Sequence, residues 1–240
     1  MIHELVTPLR RQTLSMDVYQ QLKGLLMSGK MMPGQQLSLR STADALKVSV
    51  MPVREATQRL VAEKALEIGS SRIIRVPTMT VSQFRELTSI RIHLEGFATE
   101  HACAHMNEQY LAGIKALKND FNRELGQSNP DGTKLISINE NLHFAIYRVS
   151  EMPMLLQLIE TLWLRVGPIL NYDLRSRSKR LEPRTMVDHR TRLVRTLDYH
   201  DQLVKALEAG DVATARLALK NDIETAAEFI ISSGTLVASD

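Results

Sequence analysis

The pattern of apolar residues changes at Val76-Pro77-Thr78, and this change limits the folds open to the chain. Before it, short helical patterns are broken by Gly and Pro residues; after it, helical periodicity continues almost to the end with little strand-like alternation. We therefore predict a mainly α protein of two domains, residues 1–77 and residues 78–240. The second of these domains is expected to be an all-helical bundle.

Three short helices and a hairpin are predicted in the first domain. Residues 17–28 have apolar side chains at helical spacing, and Gly29 is a natural stop. A second helix follows Ser38 as its N-cap, and a third begins at Ser49. Residues 65–76 place two short apolar runs around a Gly/Ser turn, which favours a β-hairpin. This order of elements is typical of a winged helix-turn-helix, whose third helix enters the major groove of DNA.

Long helices are predicted throughout the second domain. Thr80 and Gln83 form a capping-box pattern at the start of a helix that ends near Met106. A ragged tail is expected after Ser232. Further helices are predicted at 110–126, 132–150, 152–173, 183–209 and 211–231.

The positive charge is concentrated in the first domain. Residues 1–77 carry 11 Lys and Arg against 6 Asp and Glu, whereas the rest of the chain carries 19 against 21. A basic module of this kind suggests a polyanionic partner. No apolar run approaches the roughly 20 residues that cross a bilayer, so a cytoplasmic protein without a membrane partner is expected. The single cysteine excludes an intrachain disulfide and a multi-cysteine zinc site.

Polar and basic residues surround one side of the third predicted helix. Arg54 can fork to guanine or hold a phosphate, and Ser49 can offer its hydroxyl and backbone N–H to phosphate. Met51 lies on the same side, and Arg40 begins the second helix. From local charge alone, a DNA-binding surface and a merely solvated helical face remain about equally open.

Two motifs in this region resemble the DNA-binding domain of the GntR family. They are the turn GKMMPGQQL, residues 29–37, and the helix VSVMPVREATQRL, residues 48–60. The resemblance implies operator contacts at the positions Arg40, Ser49, Met51 and Arg54. It also implies a wing tip from Gly69 to Arg72, with both of these residues close to DNA.

One position departs from the family pattern. Val50 stands where the family usually has a basic residue that reads bases. The resemblance therefore implies that this chain lacks one major-groove contact and prefers an altered operator.

Residues 80–232 resemble the FadR C-terminal effector domain, abbreviated FCD. The segments that carry the resemblance are RIHLE at 91–95, NENLH at 139–143, and Tyr199-His200 before the run ALEAGDVATAR. The resemblance implies a helical domain that binds an effector. A homodimer is expected because an isolated winged helix binds a half-site weakly, whereas two linked ones read a palindrome, and the helical domain should hold the pair together.

Four residues of this domain are candidate metal ligands. Asn139 and His143 are four residues apart and project from one helix face, but the sequence alone does not join them to His200 and Asp222. Many members of the effector-domain family bind a divalent ion through an aspartate and a histidine four apart and two later histidines. The resemblance therefore implies a site in which Asn139 and Asp222 replace two of those ligands. Two imidazoles with oxygen donors suit Zn, Ni, Mn or Fe.

An ion in the bundle would leave positions for a carboxylate or hydroxyl, which predicts a small organic acid as the effector. Arg91 is the predicted anion clamp, because it is the arginine of the family's Arg-x-x-x-Glu pattern. Tyr147 follows His143 by one helical turn, and Arg165 is a further candidate contact. The alternatives are that Arg165 pairs with a glutamate and that Tyr147 belongs to the core.

The leading hypothesis is a ligand-responsive transcriptional regulator, a repressor, that binds operator DNA as a homodimer. The alternative is a metal-dependent helical enzyme, because two histidines and one carboxylate can form an open catalytic site. A third possibility is constitutive DNA binding with a purely structural second domain. The regulator is preferred because it explains the basic first domain, and no general base or nucleophile can be named beside the candidate ligands.

Overall fold

The computed structural model describes residues 14–69, 72–177, 183–234 and 236–237, with the backbone alone for 171–177 and 183–194. No helix in these ranges combines the length and apolar character that a membrane crossing requires. The elements in chain order are α1 (Leu14–Met27), β1 (Gln36–Leu37), α2 (Leu39–Leu46), α3 (Val50–Ala62), β2 (Glu67–Ile68), β3 (Ile74–Arg75), α4 (Val81–His105), α5 (Glu108–Leu125), α6 (Gly132–Val149), α7 (Pro153–Arg177), α8 (Pro183–Ala209) and α9 (Val212–Ser232).

The first domain is a winged helix-turn-helix, as predicted. The Ser38 side chain accepts a hydrogen bond from the Ser41 N–H at 3.3 Å and so caps α2. Helix α1 packs against α3, and the apolar side chains between them are almost fully buried, with Leu26, Val53 and Leu60 at 0% exposure. Burial of this face leaves the opposite side of α3 to the solvent.

The predicted hairpin is present, but it belongs to a three-stranded sheet. Strand β3 lies in the centre and pairs antiparallel with β2 on one side and with β1 on the other. Strand β1 has two residues, which is too short to show the period-two pattern by which strands are recognised. The sequence therefore did not predict it.

The second domain is the predicted helical bundle. The capping box at Thr80 is complete, because its hydroxyl accepts from the Gln83 N–H and the Gln83 side chain accepts from the Thr80 N–H. Helix α4 packs against α6, α7 and α9, while α8 packs against α5 and α9. These contacts put the middle of α4 at the centre of the domain.

Several boundaries differ from the prediction. Helix α1 begins at Leu14 and α5 at Glu108, three and two residues before their predicted starts. Helix α7 continues to Arg177, four residues beyond its predicted end. The expected ragged tail contains one ordered contact, since the Val237 N–H donates to the Met79 carbonyl at 3.1 Å and Val237 pairs in parallel with Thr80. A single bridge of this kind leaves no periodic pattern in the sequence.

The two domains meet where α7 crosses the end of α1. Gly167 lies so close to α1 that a Cβ atom there would stand 2.5 Å from the carbonyl oxygens of Leu26 and Met27. Beside this contact, the Lys23 ammonium forms an ion pair with Glu160 at 2.6 Å. Only glycine permits this distance between the backbones, so Gly167 fixes how closely the domains approach.

We predict that Gly167→Ala lowers the free energy of unfolding by about 1–3 kcal/mol, because the added methyl group overpacks a backbone contact. Urea denaturation measures the difference. Gly24→Ala on α1 is the matched control, since a Cβ atom added at Gly24 would have no other atom within 4 Å. The control should raise stability by about 0.5–1 kcal/mol, the usual helical advantage of alanine. An equal gain in both variants would contradict the close contact.

Candidate DNA-binding surface and metal site

The solvent-facing side of α3 carries the residues predicted to contact DNA. Met51 and Arg54 are three residues apart on this helix, so they share a face, and both are exposed. The Met51 side chain is 61% exposed, which is unusual for a large apolar residue within a folded domain. Arg40 is also exposed at the start of α2. This face therefore combines cationic groups with an apolar contact suited to a thymine methyl group.

The arginines of this domain divide into paired and unpaired ones. Arg59 bonds Glu63 at 3.1 Å and lies over the Tyr19 ring, and Arg75 bonds Glu67 at 2.6 Å. Within the described part of the chain, the predicted DNA contacts Arg40, Arg54 and Arg72 have no carboxylate partner. Their charges are therefore available to a phosphate or a guanine.

The N-terminus of α3 also has free hydrogen-bonding groups. Ser49 is the N-cap residue with extended backbone angles, but its hydroxyl makes no capping bond. An uncapped helix start has N–H donors that suit an anionic oxygen. In the wing, Arg72 has a φ of +59°, and Gly69 bonds Ile73 and Arg72 through the backbone. The remainder of the predicted wing tip, residues 70–71, lies outside the described residues.

In the second domain, three of the four candidate ligands converge in the core. His143 from α6, His200 from α8 and Asp222 from α9 offer ligand atoms that all lie within 4.8 Å of one another. The Asp222 Oδ2 atom is 3.3 Å from His143 Nε2 and 3.7 Å from His200 Nε2. All three side chains are buried. Asn139 is half-buried one turn before His143, and its role as a ligand stays a prediction.

The donor atoms of this cluster fit a cation. Among the described groups, neither ring nitrogen of His200 has a hydrogen-bond partner, although both are buried, and such unsatisfied atoms normally destabilise the fold. Burial alone would raise the pKa of Asp222, but His200 and His143 outweigh it and hold that pKa well below its ordinary value. The site therefore contains an ionised carboxylate, and a divalent ion would satisfy both the carboxylate and the imidazoles.

Next to this cluster lies a buried carboxylate that the sequence analysis did not assign to the site. Glu95 on α4 is 0% exposed. Arg91 donates to it through Nε at 2.7 Å and Nη2 at 3.2 Å, Trp163 donates through Nε1 at 3.1 Å, and Tyr147 donates at 2.5 Å. The Tyr147 oxygen in turn lies 3.0 Å from His143 Nδ1. We call Arg91, Glu95, Tyr147 and Trp163 the Glu95 network.

Two of the three residues predicted to hold the effector, Arg91 and Tyr147, belong to the Glu95 network, whereas Arg165 does not. The guanidinium fork of Arg91 is bonded to Glu95, which raises the pKa of Arg91 although burial acts to lower it. Tyr147 is fully buried and donates to the same carboxylate. Arg165 is half-buried. It follows Trp163 by two residues, a rotation of about 200° around α7, so these two residues lie on nearly opposite faces of the helix. Effector contacts by these three residues stay predictions.

Comparison with known proteins follows the same division of the chain. Residues 14–76 match the bacterial regulatory proteins of the gntR family, and residues 86–225 match the FCD domain. The predicted boundary after residue 77 lies between the two matches. The chain belongs to the GntR family and carries an FCD effector domain.

Relatives share both sequence and fold with this GntR regulator. The HTH-type transcriptional regulator McbR of Escherichia coli strain K12 is 34% identical over 164 residues, which are 68% of this chain and 73% of that protein. The structure of E. coli McbR/YncC matches with a TM-score of 0.80 at 29% identity, covering 92% of this chain and 99% of the other. A GntR regulator structure from Rhodococcus sp. RHA1 has a TM-score of 0.69 at 20% identity, covering 91% and 97%, which supports the fold alone.

Family membership decides between the functional hypotheses. The GntR chain is a DNA-binding transcriptional regulator with a ligand-responsive effector domain. The alternative of a metal-dependent enzyme is set aside, because both matched domains are regulatory. The His143, His200 and Asp222 cluster therefore belongs to an effector domain.

Proposed function

We propose that this regulator is a cytoplasmic repressor that binds operator DNA as a homodimer and senses a small organic acid at a metal site in its FCD domain. The observation that carries the DNA-binding part is the set of exposed, unpaired arginines beside the apolar Met51 on one side of the first domain. The observation that carries the sensing part is the buried His143, His200 and Asp222 cluster.

On the DNA side, the proposed contacts come from α3, the start of α2 and the wing. Arg54 and Met51 read base edges in the major groove, because they occupy the exposed face of α3 near its N-terminus. Ser49 and Arg40 bind phosphates, which sets the register of the helix on the duplex. Gly69 and Arg72 bring the wing to the flanking backbone or minor groove.

Exposed apolar side chains on the FCD domain support the homodimer. Ile90 and Phe97 are seven residues apart on α4 and therefore share a face, and each is 41% exposed. Helix α9 packs beside α4 and carries a third exposed apolar side chain, Leu217. A second copy of the chain would remove these groups from water, and two linked winged helices would read a palindromic operator.

In the proposed metal site, His143, His200 and Asp222 hold the ion, and the side-chain oxygen of Asn139 is the fourth donor. This donor set suits Zn, Ni, Mn or Fe. When bound, the ion supplies a Lewis-acidic position for the carboxylate or hydroxyl of the organic acid. The residues of the chain exclude water and fix the ligand directions, because the whole cluster is buried.

For the DNA-binding surface, we predict that Arg54→Ala weakens operator binding by about 1–3 kcal/mol and relaxes sequence preference, as loss of a base contact does. Gel-shift titrations against operator and unrelated duplexes measure both effects. Arg123→Ala on α5 removes the same charge from an exposed pair with Asp120 and should leave binding unchanged. Equal binding by wild type and Arg54→Ala would exclude this helix as the reader of bases.

For the homodimer, we predict that light scattering gives the mass of two chains at micromolar concentration and that Phe97→Glu shifts the population towards the monomer. The new charge would be buried without a partner in the interface, which is unfavourable. Met154→Glu is the control, because Met154 is 81% exposed and lies on α7, outside the set of α4 and α9 side chains proposed for the interface. A wild-type monomer that binds a single half-site would contradict the proposal.

For the metal site, we predict that wild type retains zinc after dialysis and that His143→Ala loses both the zinc and the thermal stabilisation linked to it. Asn139→Asp adds a second carboxylate and should bind zinc more tightly. His93→Ala removes an exposed imidazole that bonds only the Ser89 carbonyl among the described groups, and it should behave as wild type. Equal zinc content in all four proteins, measured by elemental analysis, would show that these residues do not form the site.

A further inference from the structure

The Glu95 network links a buried carboxylate to one of the proposed metal ligands through a single phenol. Among the described residues, the side chains bonded to the Glu95 carboxylate are all hydrogen-bond donors: the Arg91 guanidinium, the Trp163 indole N–H and the Tyr147 hydroxyl. Arginine and tryptophan side chains can only donate. The carboxylate forms a bidentate ion pair with Arg91 and acts as acceptor in all of these bonds.

The direction of the Tyr147 bond follows from this arrangement. A phenol has one proton, and Tyr147 directs it to Glu95 Oε2 at 2.5 Å. The Tyr147 oxygen can therefore only accept from His143 Nδ1, which lies 3.0 Å away.

We propose that Glu95 is a positioning residue that, through Tyr147, keeps a proton on His143 Nδ1 and so leaves Nε2 as the nitrogen that can bind a metal. Nε2 faces Asp222 Oδ2 at 3.3 Å and forms an ion pair with it when this nitrogen carries a proton. A divalent ion at the site would take the place of the Nε2 proton, because imidazole binds metals through an unprotonated nitrogen. This consequence for the metal rests on the proposed function, whereas the proton on Nδ1 is a property of the metal-free chain.

The structure also explains why a carboxylate, and not an amide, is needed at position 95 to keep the Tyr147 oxygen as the acceptor for His143 Nδ1. If glutamine replaced Glu95, its amide oxygen would take the place of Oε1, because there it can accept from both Arg91 Nε and the Trp163 indole N–H. Its NH₂ group then faces the Tyr147 oxygen and donates to it. Tyr147 can now direct its own proton to His143 Nδ1, which leaves Nε2 as the only ring nitrogen with a proton, so a metal cannot bind at Nε2 unless this arrangement is broken.

The test is the isosteric variant Glu95→Gln, in the full-length, metal-free protein. Two-bond ¹H–¹⁵N spectra of the histidine rings report which nitrogen of His143 carries the proton. We expect a proton on Nδ1 in wild type, and loss of this Nδ1 proton in Glu95→Gln, which leaves Nε2–H alone. Glu100→Gln is the matched control, because Glu100 lies on the same helix but pairs with Arg216 at the surface; it should keep the wild-type tautomer.

A second variant covers the case in which Glu95→Gln fails to fold because Arg91 loses its counter-charge. Tyr147→Phe leaves the Glu95 bonds to Arg91 and Trp163 in place and removes the hydroxyl that donates to Glu95 and accepts from His143. We expect a mixture of His143 tautomers in this variant. Circular dichroism confirms that each variant tested is folded.

Zinc titration of the same proteins separates this inference from the metal proposal. Loss of an outer-shell partner typically costs 10–100-fold in metal affinity, and we expect about that loss for Glu95→Gln and for Tyr147→Phe. If the tautomer changes as expected but no protein binds zinc, the positioning role stands and the metal proposal fails. An Nε2–H tautomer in wild type, or a tautomer unchanged in both variants, would overturn the role of Glu95.

Discussion

A carboxylate buried away from water organises the centre of the FCD domain. Burying the charge of Glu95 is expensive unless donors surround it. Those donors come from three helices, with Arg91 on α4, Tyr147 on α6 and Trp163 on α7. The need to satisfy one charge therefore holds α4, α6 and α7 together. The same bonds orient His143, so the geometry of the candidate metal site depends on this network.

Helix α7 connects the network to the DNA-binding domain. Trp163 bonds Glu95, and Gly167, one turn later, lies against the last carbonyls of α1. Helix α1 in turn packs against α3, which carries Arg54 and Met51. The contact at Gly167 has no spare room, so a displacement of α7 has to be accommodated by α1. The fold thus provides an unbroken packed connection between the effector domain and the helix that faces DNA.

Local patterns in the sequence were sufficient for the architecture. Helical periodicity predicted the two domains, and the caps at Ser38 and Thr80 are formed as expected. Patterns of this kind are readable because all of the interacting residues lie within a few positions of one another. The two-residue strand β1 was missed because it is too short to show the period-two pattern of a strand, and because its partner β3 is distant in sequence, with Gln36 paired to Arg75.

The candidate site was only partly predictable for the same reason. The spacing of Asn139 and His143 puts them on one helix face, but the approach of His200 and Asp222 came from the family resemblance, since α8 and α9 are distant in sequence. Glu95 was not assigned a role, because its partners Tyr147 and Trp163 lie 52 and 68 residues away. Arg91 was predicted to hold a ligand's carboxylate, and the structure shows its fork bonded to the carboxylate of Glu95. Composition and local residue spacing do not reveal hydrogen bonds between residues that are this far apart in the sequence.

In the proposed site, the Glu95 network prepares His143, together with His200 and Asp222, to hold a cation. Anomalous diffraction at the zinc absorption edge, from crystals of the zinc-loaded protein, would locate that cation. We expect a peak between His143 Nε2, His200 and Asp222 Oδ2, with Tyr147 still bonded to His143 Nδ1. Zinc bound only at exposed histidines such as His93 or His105, with His143 Nε2 donating directly to Asp222, would rule out this site.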